Sequence, residues 1–257
     1  MAGIKEIYDY LCELAPLELK MDFDNVGFLT GHLDGEAQRI LLALDITDAV
    51  IDEAMDLDAQ VIVSHHPLIF SPLRSVTDCG AGRKTMRLVE NRLAAICMHT
   101  NLDIADGGVN DVLMHTLGAA VAAPLDTDGC GRIGLLPEEM PLTAFLERCR
   151  TRLNAPGLRY VDAGKPVHKL AVMGGSGGKS LYRAAELGCD TYVTADISYH
   201  SFLDALELGL NLIDADHFCT ENPMIPVLAQ KLRERFPDCE VLISQRHRPL
   251  IAFYTQV

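Results

Sequence analysis

Basic residues are scarce in this chain: 22 Lys and Arg stand against 36 Asp and Glu, a formal net charge of −14. That balance opposes general affinity for phosphate backbones or anionic bilayers, both of which attract basic patches. Nucleic acid and membrane surfaces are therefore set aside as partners. C-x-x-C spacing is absent as well. The eight cysteines, Cys12, Cys79, Cys97, Cys130, Cys149, Cys189, Cys219 and Cys239, are scattered, and 257 residues need no disulfide staples. They read as reduced thiols of a cytoplasmic protein. No apolar run approaches the ~20 residues of a membrane span, and the opening MAGIKEIYDYLCELAP breaks its apolar spacing with acids where a signal peptide would not. No low-complexity segment or long charge block is present. Apolar residues, by contrast, make up 49% of the chain, enough to fill two cores, and two lobes are expected.

An internal repeat organises the chain. RILLALDIT (39–47) corresponds to HKLAVMGG (168–175), DAVIDEAMDLD (48–58) to KSLYRAAELG (179–188), and AQVIVSHH (59–66) to CDTYVTAD (189–196). RKTMRLVENR (83–92) then corresponds to SFLDALELG (201–209), and LAAICMHTNLD (93–103) to LNLIDADHFCTE (210–221). Near-continuous apolar runs alternating with helices of about ten residues predict βαβ units and mostly parallel sheets, buried on both faces. The expected division is a first α/β lobe over 1–124, completed by 222–257, and a second over 125–221. Between the repeats, 121–167 is richer in Pro and Gly and reads as turns around one helix at 141–153. After Glu221, Asn222 reads as the cap of a helix that starts at Pro223 and runs to about Phe236. An edge strand at 240–245 and an apolar run at 249–254 follow.

Three short polar clusters stand directly after three of the apolar runs: His65-His66, His99 with Asp103, and His217 with Glu221. Side chains at the carboxyl ends of parallel strands face one crevice, so clusters in equivalent places predict one site. Imidazole nitrogens and carboxylate oxygens suit borderline and hard divalent ions, and this many exceed the needs of one tetrahedral ion. Two metals are expected. HTNLD reads as a tight loop that turns His99 and Asp103 to one point. His217 and Glu221, four apart, share a face if their turn is helical. Asp214 and Asp216 read as candidates to orient the His217 ring or move protons, as does His99. Asp196 and His200 read as candidate lining of the pocket, and DNVG (24–27) as a turn. The thiol of Cys219 would compete with hard-ion coordination.

The stretch MGGSGGKS (173–180) invites comparison with a phosphate-binding P-loop. That pattern requires glycine where Met173 stands, so the loop is one residue short. Two roles remain open for it: holding a substrate phosphate, or packing helix on sheet.

Taken together and in order, DNVG, SHHP, HTNLD with DGGVND (106–111), the glycine-rich turn, TAD (194–196) and DADHFCTE resemble the Nif-three-like family, whose members are also called GTP cyclohydrolase I type 2 homologues. The resemblance implies two similar α/β lobes, a dinuclear divalent-metal site and a homohexameric ring. By motif position it implies one metal on His66, Asp103 and Glu221 and the other on His65, His217 and Glu221, with His99 nearby. Zn, Fe, Mn, Ni, Co and Mg are all compatible. The family has glycine where this chain has Asp216 and Ala195, and the added charge beside His217 bears on metal preference. The leading expectation is a metal-dependent hydrolase acting on a small nucleotide-like or cyclic C–N substrate. A non-catalytic metal carrier or insertion partner needs the same ligands.

Overall fold

The six apolar runs of the repeat become strands where expected, and each is followed by a helix. The structure, a computed structural model, describes residues 1–254. In chain order the elements are β1 (Ala2–Gly3), α1 (Ile4–Leu14), β2 (Gly27–Thr30), β3 (Glu36–Ala37), β4 (Arg39–Ala43), α2 (Asp48–Asp56), β5 (Val61–Ser64), α3 (Gly80–Glu90), β6 (Ala94–Cys97) and α4 (Thr100–Ile104). Next come α5 (Val109–Thr116), β7 (Ala120–Pro124), β8 (Arg132–Met140), α6 (Leu142–Arg152), β9 (Arg159–Val161), β10 (Val167–Val172), α7 (Leu181–Glu186) and β11 (Thr191–Thr194). The chain continues through α8 (Tyr199–Glu207), β12 (Asn211–Asp214), α9 (His217–Glu221), α10 (Met224–Arg235) and β13 (Glu240–Ile243). Two compact units result: Met1–Ala105 with Ile225–Arg248, and Asp106–Met224 with the described residues from Pro249 onward.

The first unit holds a five-stranded sheet in the order β13-β4-β5-β6-β2. β13, β4, β5 and β6 run parallel, and β2 closes the β6 edge antiparallel. Every residue of β5 and β6 is buried, as parallel strands covered on both faces require. Leu41, Ile62 and Ala95 from the sheet pack with Ile51 of α2 and Leu88 of α3. Thr47 starts α2 by accepting from the Val50 amide.

The second unit holds a six-stranded sheet in the order β7-β8-β10-β11-β12-β9. β10, β11 and β12 are parallel, with antiparallel pairs on both sides. Val172, Val193 and Ile213 share a core with Leu113 of α5 and Phe145 of α6. The run β4-α2-β5-α3-β6 thus has the same order and the same parallel pairing as β10-α7-β11-α8-β12, as the repeat predicts.

Four local expectations differ from the structure. The stretch 121–167 contains the expected helix, but also strands β7, β8 and β9. Gly134 and Pro137 hide β8 from pattern reading; Pro137 is accommodated where the register with β10 shifts between Lys169 and Val167. HTNLD is a short helix, α4, rather than a loop. Asn222 ends α9 instead of opening α10, and the apolar residues Leu250, Ile251, Phe253 and Tyr254 are exposed coil.

Candidate metal-binding site

In the first unit, β5 and β6 deliver their histidines from parallel strand ends. His65 follows β5 and is 2% exposed. Its Nδ1 lies 2.8 Å from the Met98 carbonyl, which can only accept, so the proton sits on Nδ1 and the lone pair on Nε2. That Nε2 faces Asp103 Oδ1 at 3.6 Å. His66 Nδ1 is 2.8 Å from Asp45 Oδ1, and His99 Nδ1 is 2.9 Å from Asp24 Oδ1. The three rings stand 5.0, 5.1 and 5.4 Å apart between centroids, and each offers a nitrogen within 4.8 Å of the others. Asp103 falls one turn into α4, its amide bonded to the His99 carbonyl at 3.0 Å, so ring and carboxylate share a face.

Asp24 does two jobs at once. Its second oxygen accepts the amide and hydroxyl of Thr100, which fixes the start of α4. Burial pushes the Asp24 carboxyl up, but the bonds from His99 and Thr100 outweigh it and hold the group well below the ordinary carboxylate range. Asp45 is depressed in the same way: burial raises it, and the bonds from His247 and His66 win. Both are ionised acceptors at neutral pH.

In the second unit, Asp216 takes a left-handed backbone, φ 72°, and caps α9 by accepting from the Cys219 amide at 3.1 Å. The helical turn then places Glu221 Oε2 at 3.2 Å from His217 Nε2, the one-face spacing the sequence predicts. His217 Nδ1 is held by Asp196 Oδ2 at 2.7 Å. Burial alone would lower the His217 pKa; Glu221 and Asp196 overcome that and raise it to about 9. A divalent cation would compete with that proton for Nε2. The Cys219 thiol is pushed up to about 12, first by burial and then by Asp216, so it stays protonated at neutral pH.

All four clustered histidines therefore have Nδ1 bonded to an acceptor, the arrangement typical of metal-ligating imidazoles. The donor set fits a divalent cation. Three of those acceptors are carboxylates, Asp45, Asp24 and Asp196, and no sequence pattern marks them for this part. Asp24 stands within a turn motif, Asp45 within the first apolar run of the repeat, and Asp196 among the candidate lining of the pocket. Position at a strand's carboxyl end could have flagged Asp45. Nothing local flags Asp24, which meets His99 across 75 positions. Asp214 and Asp216 are buried but do not hold His217. Asp214 accepts from Arg159, the Ile197 amide and the Asp216 amide, while Asp216 serves as the cap. His200 is exposed, its ring against Tyr199.

The glycine-rich turn is tied into the second unit. Three of its amides are bonded internally: Gly174 donates to Asn110 Oδ1 at 2.9 Å, Gly175 to Thr220 Oγ1 at 3.0 Å and Gly177 to Thr194 Oγ1 at 2.9 Å. Gly175, at φ 65°, lies where any side chain would strike Glu221 and His217. A cavity of about 220 Å³ opens beside His217, lined by Asp196, Asp214, Asp216, Arg159 and Phe253.

Fold and site together define a mixed α/β protein carrying groups of histidine and carboxylate that can hold a metal ion. Residues 2–249 match the model of the Duf34/NIF3 (NGG1p interacting factor 3) family, and the chain belongs to that family. It is 35% identical over 259 residues to a GTP cyclohydrolase 1 type 2 homolog of Clostridium perfringens, covering 97% of this chain and 99% of that one. Among solved structures it resembles Staphylococcus aureus hypothetical protein SA1388, with TM-score 0.90, 28% identity and coverage of 98% and 99%. It also resembles reduced HcgD from Methanocaldococcus jannaschii, with TM-score 0.84, 32% identity and coverage of 95% and 98%. No helix among the described residues is long and apolar enough to cross a membrane.

Proposed function

We propose that the protein is a metal-dependent hydrolase whose two divalent ions are held by His65, His66, Asp103, His217 and Glu221. The observation that carries this reading is the common state of the three candidate ligand histidines: the Nδ1 of His65, His66 and His217 is bonded to an acceptor, which leaves Nε2 as the atom for a cation. Glu221 serves both ions, and His65, His66, Asp103 and His217 complete their shells. Bound divalent ions supply Lewis acidity, lowering the pKa of water to about 7. His99, its ring oriented by Asp24, is the candidate to move protons. The cavity beside His217 supports an enzyme over a carrier, since a carrier needs no room for a substrate. A small nucleotide-like or cyclic C–N compound is the substrate class, and the working assembly is a homohexamer.

Metal analysis of protein purified without chelator, followed by an activity screen over nucleotides and cyclic amides, tests this. Two equivalents of divalent metal per chain with turnover are expected, and Glu221→Ala should release more metal than His99→Ala. Metal-free wild-type protein that takes up none on titration would sink the reading. Full metal loading without turnover would leave the carrier. Light scattering that gives a stable monomer at micromolar concentration would remove the hexamer alone.

A further inference from the structure

His247 lies far from the metal motifs in sequence, and no pattern singles it out. In the structure its side chain is only 6% exposed, and its Nε2 donates to Asp45 Oδ2 at 3.0 Å. The other oxygen of that carboxylate accepts from His66 Nδ1 at 2.8 Å. One aspartate is thus gripped from both sides, by a candidate ligand on one oxygen and by His247 on the other. The segment that carries His247 is itself anchored. Glu53 of α2 accepts the Ser244 hydroxyl and the amides of Gln245 and Arg246, and Ser244 Oγ accepts the His247 amide at 3.0 Å. Such an arrangement exceeds what closing a loop requires, because Glu53 already secures the backbone without the imidazole.

A carboxylate bonded only to His66 could swing about its own χ2, and the His66 ring would turn with it. Two donors on opposite oxygens fix the plane of the carboxylate, and that plane fixes the direction of His66 Nε2. We infer that His247 is a positioning residue for the metal site: it locks Asp45, and Asp45 aims the His66 imidazole. The inference rests on the metal reading above only in naming what His66 binds. Outer partners of this kind contribute about 10–100-fold to metal affinity when they are removed.

The test is a titration of the metal-free full chain with Co²⁺, read by visible absorption, for wild type, His247→Ala, His247→Gln, Asp45→Asn and the Asp45→Asn/His247→Ala double variant. His247→Ala should weaken binding about tenfold. His247→Gln, whose side-chain amide still donates toward Asp45, should recover most of that loss. The double variant should bind no more weakly than Asp45→Asn alone, because the two residues act in series. Arg246→Ala removes a different anchor of the same segment, the bond to Asp56, and should leave the affinity unchanged. Unchanged Co²⁺ affinity in His247→Ala, full additivity in the double variant, or an equal loss in Arg246→Ala would each overturn the inference. If wild type itself takes up no Co²⁺, the metal reading fails. The His66 Nδ1 proton in metal-free NMR spectra then decides this point, being protected from exchange in wild type and lost in His247→Ala if the inference holds.

Discussion

Gly175 and Glu221 are in such close apposition that a β-carbon on the glycine would strike the Glu221 carboxylate, and it would also lie 3.1 Å from His217 Nε2. The backbone at Gly175 is left-handed, φ 65°, a region where a β-carbon costs about 1–2 kcal/mol. Gly175→Ala should therefore lower the stability of the metal-free protein by roughly that amount and push the Glu221 side chain out of place. Denaturant unfolding gives the first effect and metal content after purification the second. Wild-type metal content in this variant would contradict a ligand role for Glu221.

Asp196 is exposed and bonds His217 through one oxygen, so its contribution should appear in ligand orientation rather than in folding. Asp196→Asn should weaken divalent-metal binding by about tenfold or more, while the unfolding midpoint of the metal-free protein barely moves. Asparagine tolerates the left-handed backbone that Asp196 adopts, φ 55°, which keeps the comparison clean. Calorimetric titration beside thermal unfolding separates the two quantities.

Acid should loosen the first unit through Glu53. Burial pushes its carboxyl up, but the bonds from Ser244, Gln245 and Arg246 outweigh this and hold it below its ordinary 4.5. A depressed folded value means the stabilisation is full above the unfolded pKa and lost as pH falls through the folded one. Glu53→Gln should cost about 1–3 kcal/mol at neutral pH. Its stability should also fall less steeply than that of wild type between about pH 5 and pH 3. Parallel curves for the two proteins would show that Glu53 is not the titrating group.

Arg132 and Asp111 form an ion pair that is almost wholly buried, at 3% and 9% exposure. The guanidinium also bonds the carbonyls of Gly129 and Gly131, and the carboxylate accepts the Gly107 amide. Arg132→Ala leaves Asp111 charged without its partner and should cost about 3–5 kcal/mol in urea unfolding. A loss below about 1 kcal/mol would mean the pair behaves as a solvated one.

Much of this protein is set by sequence alone. The apolar runs that became β4, β5, β6, β10, β11 and β12 are long enough, and uniform enough, to be strands buried on both faces. The polar residues directly after them mark the carboxyl ends where the candidate ligands stand. The i,i+4 spacing of His217 and Glu221 carries its own geometry once their turn is helical. What sequence could not supply were pairings across long separations. β8 and β9 pair antiparallel with strands reached only after folding, and a glycine and a proline obscure β8. The carboxylates that hold each histidine's Nδ1, Asp24 for His99, Asp45 for His66 and Asp196 for His217, have no local signature. A hydrogen bond across 75 positions is set by where the sheet brings two strand ends, and a one-dimensional pattern holds no record of that distance. The same is true of His247, and of the steric reason for glycine at 175: both are decided by neighbours that only the tertiary structure brings within reach.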